Sequence, residues 1–432
     1  MAQKGDGAAL RVVGGRPISG EFTPSGNKNE ALPCVAAALM GTAPVTLQNV
    51  PDITDVRVMI DVAARLGVST SFTADGSVVF DSRTLCSDTP HPEMARAIRG
   101  SFLFTAPLLH KRGRAVLPKP GGDKIGRRRI DTHLLALRAL GADIEVADRD
   151  YILTLKDGFK GTEVFLDEAS VMATENAVMA AAVADGQTRI ANAASEPHVQ
   201  GLCRLLNTMG AEIRGIGTNQ LEIVGKPSLL GGVHTLGPDH IEIGSFMGLA
   251  AVTGGDLKVL GVRPEDMRMI NMVFARLGIH VEIGGTTLHV PGGQALEIQA
   301  DIHDAIPKID DAPWPGFPAD LVSIMIVVAT QCKGTVLIHE KMFESRMFFV
   351  DRLVSMGAKI VLCDPHRAVV VGPARLHGES IASPDIRAGM ALLIAALSAE
   401  GESTIQNVRQ IDRGYARIDE RLRALGADVK RI

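Results

Sequence analysis

The sequence predicts an α/β protein of six βαβαββ repeats arranged as two domains of three, and three observations support this. A Leu-Gly or Met-Gly step recurs six times and ends a helix-like stretch each time. Alternating apolar residues follow the step, as in LGADIEV and MGAKIVL, which is typical of a strand. A Gly-containing turn leads into another short strand upstream, as in GTAPVTLQNV and KGTVLIHEK. The six glycines are Gly67, Gly141, Gly210, Gly278, Gly357 and Gly426.

Each of these glycines suits the left-handed backbone position that commonly stops a helix. An amphipathic helix is predicted between the Gly-containing turn and the Leu-Gly or Met-Gly step. An example is DMRMINMVFARLGI, whose apolar residues recur at helical spacing. A more uniformly apolar helix precedes the Gly-containing turn, as in SFMGLAAVTGG, and should be buried. Six units of roughly seventy residues are too long for a simple solenoid, so typical domain sizes favour two globular domains.

The composition is that of a soluble globular protein, with 46% hydrophobic and 22% charged residues. The net charge of -4 gives no reason to expect nucleic acid or a membrane as a partner. No signal peptide and no long apolar run are visible, and the twelve histidines show no metal spacing. We therefore expect a cytoplasmic protein with no metal and no cofactor. Its five scattered cysteines fit a reducing compartment: Cys34, Cys86, Cys203, Cys332 and Cys363.

The segment PSGNKNEAL is the first departure from the repeat, and it places Lys28 and Asn29 on a turn that opens a helix. The helix dipole disfavours a lysine at this end, so Lys28 needs an anion to offset it. The alternative is a solvated surface lysine.

The segment KPGGDKIGRRRID is the second departure, and its residues 119–129 hold three glycines, five cations and one carboxylate, Asp123. A flexible loop with guanidinium groups suits gripping a phosphate and closing over it. A nucleic-acid patch or a solvated charge run remain as alternatives. Nearby cations would keep Asp123 ionised and paired, unless loop closure desolvates it and makes it a proton donor. The cations are Lys119, Lys124, Arg127, Arg128 and Arg129.

The segment PWPGFPADL is the third departure, and it contains the only tryptophan, Trp314, and Asp320. Three prolines predict a stiff loop before a helix, where Asp320 is either an N-cap or a general base. Further charged residues near helix starts could each form ordinary ion pairs, but together they predict two anionic ligands, one small and phosphorylated. They are Arg99, Arg346, Asp385, Arg387 and Arg413.

These motifs resemble the enolpyruvyl transferase family over almost the whole chain. The most specific matches are SGNKNEALP, PGGDKIGRRRID, NAASEPHV, PDHIEIGSF, PGFPADL, FESRMFFV and IDRGYARI. The resemblance implies an inside-out α/β barrel of the EPSP-synthase type, with a double crossover between two domains. One domain is expected to comprise 28–235 with a mobile lid loop at 119–131, and the other 1–27 plus 236–432. The branch of the family that acts on shikimate 3-phosphate shares this fold, but its signature motifs are missing.

The resemblance also implies a reaction. The enolpyruvyl group of phosphoenolpyruvate would move to the 3-hydroxyl of UDP-N-acetylglucosamine, with release of phosphate, in peptidoglycan precursor synthesis. Another acceptor, such as a nucleoside monophosphate in specialised metabolism, is the alternative, and a catalytically dead scaffold is a third hypothesis. The oligomeric state is left open.

Site roles follow from the same resemblance, residue by residue. The catalytic residues would be Asp123 as general acid, Asp320 facing the attacking hydroxyl, Lys28 and Arg413. Phosphoenolpyruvate would be held by Lys28, Arg128 and Arg413. The remaining substrate contacts would be Asn29, Arg99, Arg129, Ile130, Asp131, His133, Ser170, Val171, Asp320, Met342, Arg346 and Asp385.

Four positions differ from the usual family pattern. Asp123 stands where a reactive Cys is usual, so we predict that the epoxide fosfomycin does not inactivate the protein. Thr54 and Glu168 stand where the family often has lysines, and Arg129 replaces a proline, which leaves the acceptor open. Substituting Lys28 or Arg413 by Ala should reduce turnover severely and leave thermal stability little changed.

Overall fold

The computed structural model describes residues 9–123 and 125–432, and these form two compact units. Unit 1 contains residues 9–25, 123, 125–127 and 238–432, and unit 2 contains residues 26–122 and 128–237. Lys124, one of the five loop cations, lies outside the described residues. The domain borders and the mobile lid expected from the resemblance stay predictions.

Strands are short throughout the described residues. In chain order they are β1 (Ala9–Val13), β2 (Gly20–Phe22), β3 (Val45–Gln48), β4 (Ser69–Phe72), β5 (Val78–Asp81), β6 (Arg114–Pro118), β7 (Asp143–Val146), β8 (Asp150–Thr154), β9 (Glu163–Phe165), β10 (Gln187–Ala191), β11 (Glu212–Arg214), β12 (Gln220–Val224), β13 (Gly232–Thr235), β14 (Leu257–Leu260), β15 (Glu282–Gly284), β16 (Thr287–Val290), β17 (Lys308–Asp310), β18 (Gly334–His339), β19 (Lys359–Asp364), β20 (Arg367–Gly372), β21 (Ser380–Ala382), β22 (Glu402–Gln406) and β23 (Asp428–Arg431).

Helices alternate with these strands. They are α1 (Lys28–Ala38), α2 (Thr54–Arg65), α3 (Pro92–Ala97), α4 (Thr105–Arg112), α5 (Asp131–Ala139), α6 (Val171–Ala182), α7 (Pro197–Thr208), α8 (His240–Thr253), α9 (Pro264–Arg276), α10 (Val322–Gln331), α11 (Val350–Ser355), α12 (Ile386–Ser398), α13 (Arg409–Asp412) and α14 (Ile418–Ala424). Short 3-10 turns occur at Ser82–Thr84, Arg99–Phe104, Ile302–Asp304, Ala319–Leu321 and Arg346–Phe349.

The predicted repeat is complete in the run β17-α10-β18-α11-β19-β20. Its sheet has the order β17-β18-β20-β19, in which β17 and β18 are parallel and the other pairs are antiparallel. Four further four-stranded sheets follow the same plan within the described residues, a sixth sheet has antiparallel pairs only, and each unit contains three of the six. The α/β fold class with six βαβαββ repeats is therefore confirmed.

Several sheets are completed by strands that are distant in the chain. Strand β1 lies between β22 and β23, β2 pairs with β14, and β13 pairs with β3. The sheet β6-β8-β7 has three strands within the part of the chain that the structure describes. The prediction that the six repeats follow one another along the chain is therefore corrected in one respect. A repeat is defined by its sheet and need not be continuous in sequence.

The six repeat glycines have φ values from 77° to 108°, as the sequence predicts. Gly67 shows why the residue is required, because a Cβ there would lie 2.8 Å from the carbonyl oxygen of Thr84 in a backbone conformation that L side chains rarely adopt. These glycines have turn-forming roles, and each releases the chain from a helix into the next strand.

The uniformly apolar helices are buried, as predicted. In unit 1, α8, α10 and α12 pack against one another, and every residue of α8 from His240 to Ala251 is buried. In unit 2, α1 and α4 both pack against α6. Among the described residues, no helix combines the length and the apolar character that crossing a membrane requires.

Candidate functional site

Asp320 is the centre of a charged cluster in unit 1. It lies in the 3-10 turn before α10, and its carboxylate accepts hydrogen bonds from two arginines. The Nη2 atom of Arg346 lies 2.5 Å from Oδ1, and Nη2 of Arg387 lies 2.8 Å from Oδ2. The alternative that Asp320 caps α10 is wrong. The N-cap residue of α10 is Leu321, and no side-chain hydrogen bond caps this helix.

Both arginines of the cluster are buried, and their charges are maintained by their neighbours. Burial opposes the charge of Arg346, but nearby carboxyl groups, Asp320 first among them, outweigh it and raise the pKa of Arg346 above its usual value. The pKa of Arg387 is raised against burial in the same way, by Asp320 and by Tyr415. The Tyr415 hydroxyl accepts from Nη1 of Arg387 at 3.3 Å and bonds Ser245 at 2.9 Å. Asp320 is therefore held rigidly in a fully paired setting.

Asp385 is the N-cap of α12. Its Oδ1 accepts from the backbone N–H groups of Arg387 at 2.9 Å and Ala388 at 3.0 Å. Burial raises the pKa of Asp385 despite these bonds. In the structure, Asp385 therefore orients the helix that carries Arg387.

The loop residues around Asp123 are bonded within unit 1. Asp123 forms an ion pair with Nη1 of Arg413, which also donates to Oε1 of Gln410 at 2.8 Å. The backbone N–H of Arg127 donates to Glu344 at 2.8 Å, and that of Ser345 donates to the carbonyl of Ile125 at 3.0 Å. The structure thus shows Asp123 in the salt-bridged state that was its alternative interpretation.

Met342 and Arg346 belong to one turn, and carboxylates fix its backbone. The N–H groups of Lys341 and Met342 donate to the two oxygens of Asp311, and that of Phe343 donates to Oε1 of Glu340. The Met342 side chain is 37% exposed, so it is available for a ligand contact.

Lys28 begins α1 in unit 2, as predicted, and its anion is Asp55. The Nζ atom lies 2.9 Å from Oδ2 of Asp55, and both side chains are buried. The helix is capped by Asn27, whose side chain accepts from the N–H groups of Asn29 and Glu30. The alternative of a solvated surface lysine is therefore wrong.

Arg99 in unit 2 donates to two carbonyl oxygens, those of Arg128 at 3.0 Å and Arg129 at 2.8 Å. Burial and the charge of Arg128 lower the pKa of Arg99 to about 10, which leaves it cationic at neutral pH. Arg99 therefore shapes the segment that carries Arg128 and retains its charge.

The residues from Arg129 to His133 lead into α5 and have different surroundings. Arg129 is exposed and pairs with Asp131 and Asp167. Ile130 and His133 are buried, and His133 Nδ1 lies 3.0 Å from Asn176 Nδ2. Burial and the charge of Arg99 lower the pKa of His133 to about 3, so it is neutral.

Ser170 precedes α6 and Val171 begins it, both half-buried. The carbonyl of Ser170 accepts from the backbone and the hydroxyl of Thr174. Thr54 begins α2, and Glu168 is exposed. Trp314 lies near His240, with ring centroids 5.8 Å apart.

The sequence reasoning did not single out Asp55, Glu340, Asp311 or Tyr415. Asp55 follows a flagged residue, Thr54, and the need of Lys28 for an anion was the signal that could have found it. Glu340 and Asp311 each follow a strand and Tyr415 is buried, and no local motif marks any of the three. Among the described residues, one group of three potential metal ligands lies close together in unit 2: Glu30, Cys34 and His234. Its Glu30 and His234 side chains already bond each other at 2.8 Å.

Comparison with known proteins decides the family. A family model described as EPSP synthase (3-phosphoshikimate 1-carboxyvinyltransferase) matches residues 12–422. A protein of Treponema denticola named UDP-N-acetylglucosamine 1-carboxyvinyltransferase is 54% identical over 97% of this chain and 98% of its own. The chain belongs to the EPSP synthase family of enolpyruvyl transferases.

Other relatives agree with this placement in the enolpyruvyl transferases. A UDP-N-acetylglucosamine 1-carboxyvinyltransferase of Bradyrhizobium diazoefficiens is 53% identical over 98% of this chain and 97% of its own. The crystal structure of the enolpyruvyl transferase NikO from Streptomyces tendae matches with a TM-score of 0.87 at 25% identity, over 99% of each chain. An EPSP synthase structure from Acinetobacter baumannii has a TM-score of 0.74 at 18% identity, over 98% of this chain and 99% of that one, and supports the fold alone.

Proposed function

We propose that this protein transfers the enolpyruvyl group of phosphoenolpyruvate to the 3-hydroxyl of UDP-N-acetylglucosamine and releases phosphate, as a step in peptidoglycan precursor synthesis. Identities of 54% and 53% over nearly the full length support this acceptor over a nucleoside monophosphate. The observation that carries the proposal is the Asp320 carboxylate, held by two buried arginines at the start of α10.

Asp320 is the proposed base. Two guanidinium groups fix the orientation of its carboxylate at both oxygens, so the remaining lone pairs can accept a proton from a hydroxyl with little reorganisation. The acceptor hydroxyl then attacks C2 of phosphoenolpyruvate, and C3 takes a proton to give a tetrahedral ketal. Loss of phosphate and of a proton from C3 restores the double bond in the product.

Asp123 is the proposed acid that protonates C3. In the structure it forms an ion pair with Arg413, so it must leave this pair before it can act on C3. Phosphoenolpyruvate is anionic, and by binding to Arg413 it would release Asp123 from the pair.

The cations have the proposed role of binding the anionic groups. Lys28, Arg128 and Arg413 would bind the phosphate and carboxylate of phosphoenolpyruvate. The remaining predicted contacts, from Asn29 and Arg99 to Met342 and Asp385, would bind the sugar nucleotide.

A phosphate-release assay tests the proposal. The purified protein is incubated with phosphoenolpyruvate and UDP-N-acetylglucosamine, with single nucleoside monophosphates in parallel reactions. We expect phosphate and an enolpyruvyl ether of the sugar nucleotide, identified by mass spectrometry. Release with a nucleoside monophosphate alone would identify the other acceptor class, and no release with either would contradict an enzymatic role.

A further inference from the structure

Glu340 is a buried carboxyl group that the proposed reaction does not use. It follows β18 and its side chain has no exposed surface. Its Oε1 atom accepts from the backbone N–H of Phe343 at 3.1 Å. Its Oε2 atom is buried and no donor reaches it from the described residues 9–123 and 125–432. A buried carboxylate oxygen with no donor is costly, so this atom needs an explanation.

Asp311 supplies the explanation, because both acids bind N–H groups of the same turn and their interaction raises the pKa of Glu340. Two carboxylates cannot bond to each other unless one of them carries a proton. Both oxygens of Asp311 already accept N–H groups, from Lys341 and Met342. The proton therefore belongs on Glu340, where it turns an unsatisfied acceptor into a donor.

The pair also fixes the turn that leads to Arg346. Three consecutive backbone N–H groups, at residues 341–343, donate to the two acids. Arg346 itself is buried, and its Nε atom has no acceptor among the described residues although Nη2 holds Asp320. Arg346 interacts electrostatically with both Asp320 and Glu340. An ionised Glu340 would therefore compete with Asp320 for this guanidinium.

We propose that Glu340 is a positioning residue that remains protonated, shares its proton with Asp311, and thereby keeps Arg346 committed to Asp320. This deepens the proposed function and rests on it, since Asp320 is the proposed base. Loss of the proton would repel Asp311, loosen the turn at 341–343 and draw Arg346 away from Asp320.

The electrostatic setting agrees with this arrangement. Burial raises the pKa of Glu340 to about 9, with Asp311 adding to the rise and Arg346 opposing it. His366 also faces the residue, since its Nδ1 atom lies 2.7 Å from the Glu340 carbonyl oxygen. Lys341 points to the other side and pairs with Asp310. Glu340 is therefore neutral at physiological pH and titrates on the alkaline side.

The pH dependence of turnover separates positioning from plain structure. In the unchanged protein kcat should fall as pH rises through about 9, because Glu340 ionises. Glu340→Gln keeps a donor for Asp311 and an acceptor for Phe343 but cannot ionise. We expect it to retain kcat within about threefold at neutral pH and to lose this alkaline fall. Asp310→Asn, which alters a neighbouring half-buried acid, is the matched control and should keep the alkaline fall in kcat.

Thermal stability gives a second readout that does not depend on activity. A carboxyl group with a raised folded pKa binds a proton in the folded state that it loses in the unfolded state. Stability should therefore decrease from about pH 5 to about pH 9 in the unchanged protein. The melting temperature of Glu340→Gln relative to the unchanged protein should rise over the same window, and Asp310→Asn should show no such rise.

The outcomes are separable. An unchanged alkaline fall in Glu340→Gln, or a melting difference that does not vary with pH, would overturn the role of Glu340. Absence of phosphate release from the unchanged protein would instead count against the proposed function, and the stability readout would still decide the protonation of Glu340. If Glu340→Gln does not fold, Asp311→Asn serves in its place, and its alkaline fall should move to lower pH because Glu340 loses its partner.

Discussion

The two units use charge in different ways. In unit 1, carboxylates are paired with arginines at Asp320 and at Asp123. In unit 2, Arg99 donates to two carbonyl oxygens, which offset none of its formal charge. A neutralised cluster suits proton transfer, whereas guanidinium charge bonded to neutral groups suits an incoming anion. In the proposed reaction both proton-transfer residues, Asp123 and Asp320, therefore lie in unit 1, whereas Arg99 of unit 2 keeps a charge that suits an anion.

The largest change in activity is expected when Asp123 in unit 1 is replaced by Cys and the variant is exposed to fosfomycin. The unchanged protein should keep full activity after incubation with fosfomycin, because a carboxylate paired with Arg413 is a weak nucleophile towards the epoxide. Asp123→Cys should become inactivated with time and gain the mass of one fosfomycin in intact-protein mass spectrometry. A covalent adduct on the unchanged protein at Asp123 would contradict the prediction.

A large loss of turnover is expected from Asp320→Asn. The amide cannot accept the hydroxyl proton, so kcat should fall by roughly 10²–10⁴-fold. Two buried arginines also lose their shared counter-ion, which should cost about 3–5 kcal/mol of unfolding free energy. Denaturant titration and phosphate release measure both effects. Near-normal kcat in a folded variant would remove Asp320 from the role of base.

Lys28→Ala should lower both turnover and stability. Loss of the proposed phosphate contact should reduce kcat/KM for phosphoenolpyruvate by at least about a hundredfold. Because the ion pair with Asp55 is buried, the variant should also lose about 3–5 kcal/mol, which differs from the stability expected from sequence alone.

The matched control for Lys28 is Arg57→Ala, on the same unit. Arg57 pairs with Asp52 at 2.5 Å, but both side chains are more than half exposed. Exposed pairs contribute about 0–1 kcal/mol, so stability and turnover should stay close to those of the unchanged protein. Equal losses in the two variants would show that burial does not distinguish the pairs.

The smallest effect is expected from Arg129→Ala. Its pairs with Asp131 and Asp167 are exposed, so the melting temperature should not change measurably. If Arg129 binds the sugar nucleotide, KM for that acceptor should rise several-fold, with kcat unchanged. An unchanged KM would limit Arg129 to its surface ion pairs.

Much of the fold was predictable because each feature of the repeat is determined by residues that are close together in the sequence. The glycines at the helix ends, the alternating strands and the buried apolar helices are each fixed by residues within one or two turns. The insertion of β1 between β22 and β23 was not predictable in this way, since it joins residues about four hundred positions apart. Pairing at that distance depends on the assembled sheets and leaves no short pattern.

The sequence singled out the charged residues of the proposed site but missed several side chains that bond to them. Lys28, Asp320 and Arg413 interrupt the repeat and were therefore visible in the sequence. The partner of Lys28, Asp55, is ordinary in its local context and becomes significant only through the fold. Glu340 is the extreme case, because its proposed protonation depends on burial and on Asp311, which follows a different strand.

The position of β1 has a consequence for synthesis. A strand formed by residues 9–13 lies inside a sheet whose other members are made last, while the strands and helices of unit 2 lie between them in the chain. On the ribosome, unit 2 has all its residues long before β22 and β23 emerge, so it can acquire its structure first. The early strand must meanwhile wait without its neighbours, and during that interval its unpaired edges need protection from other nascent chains.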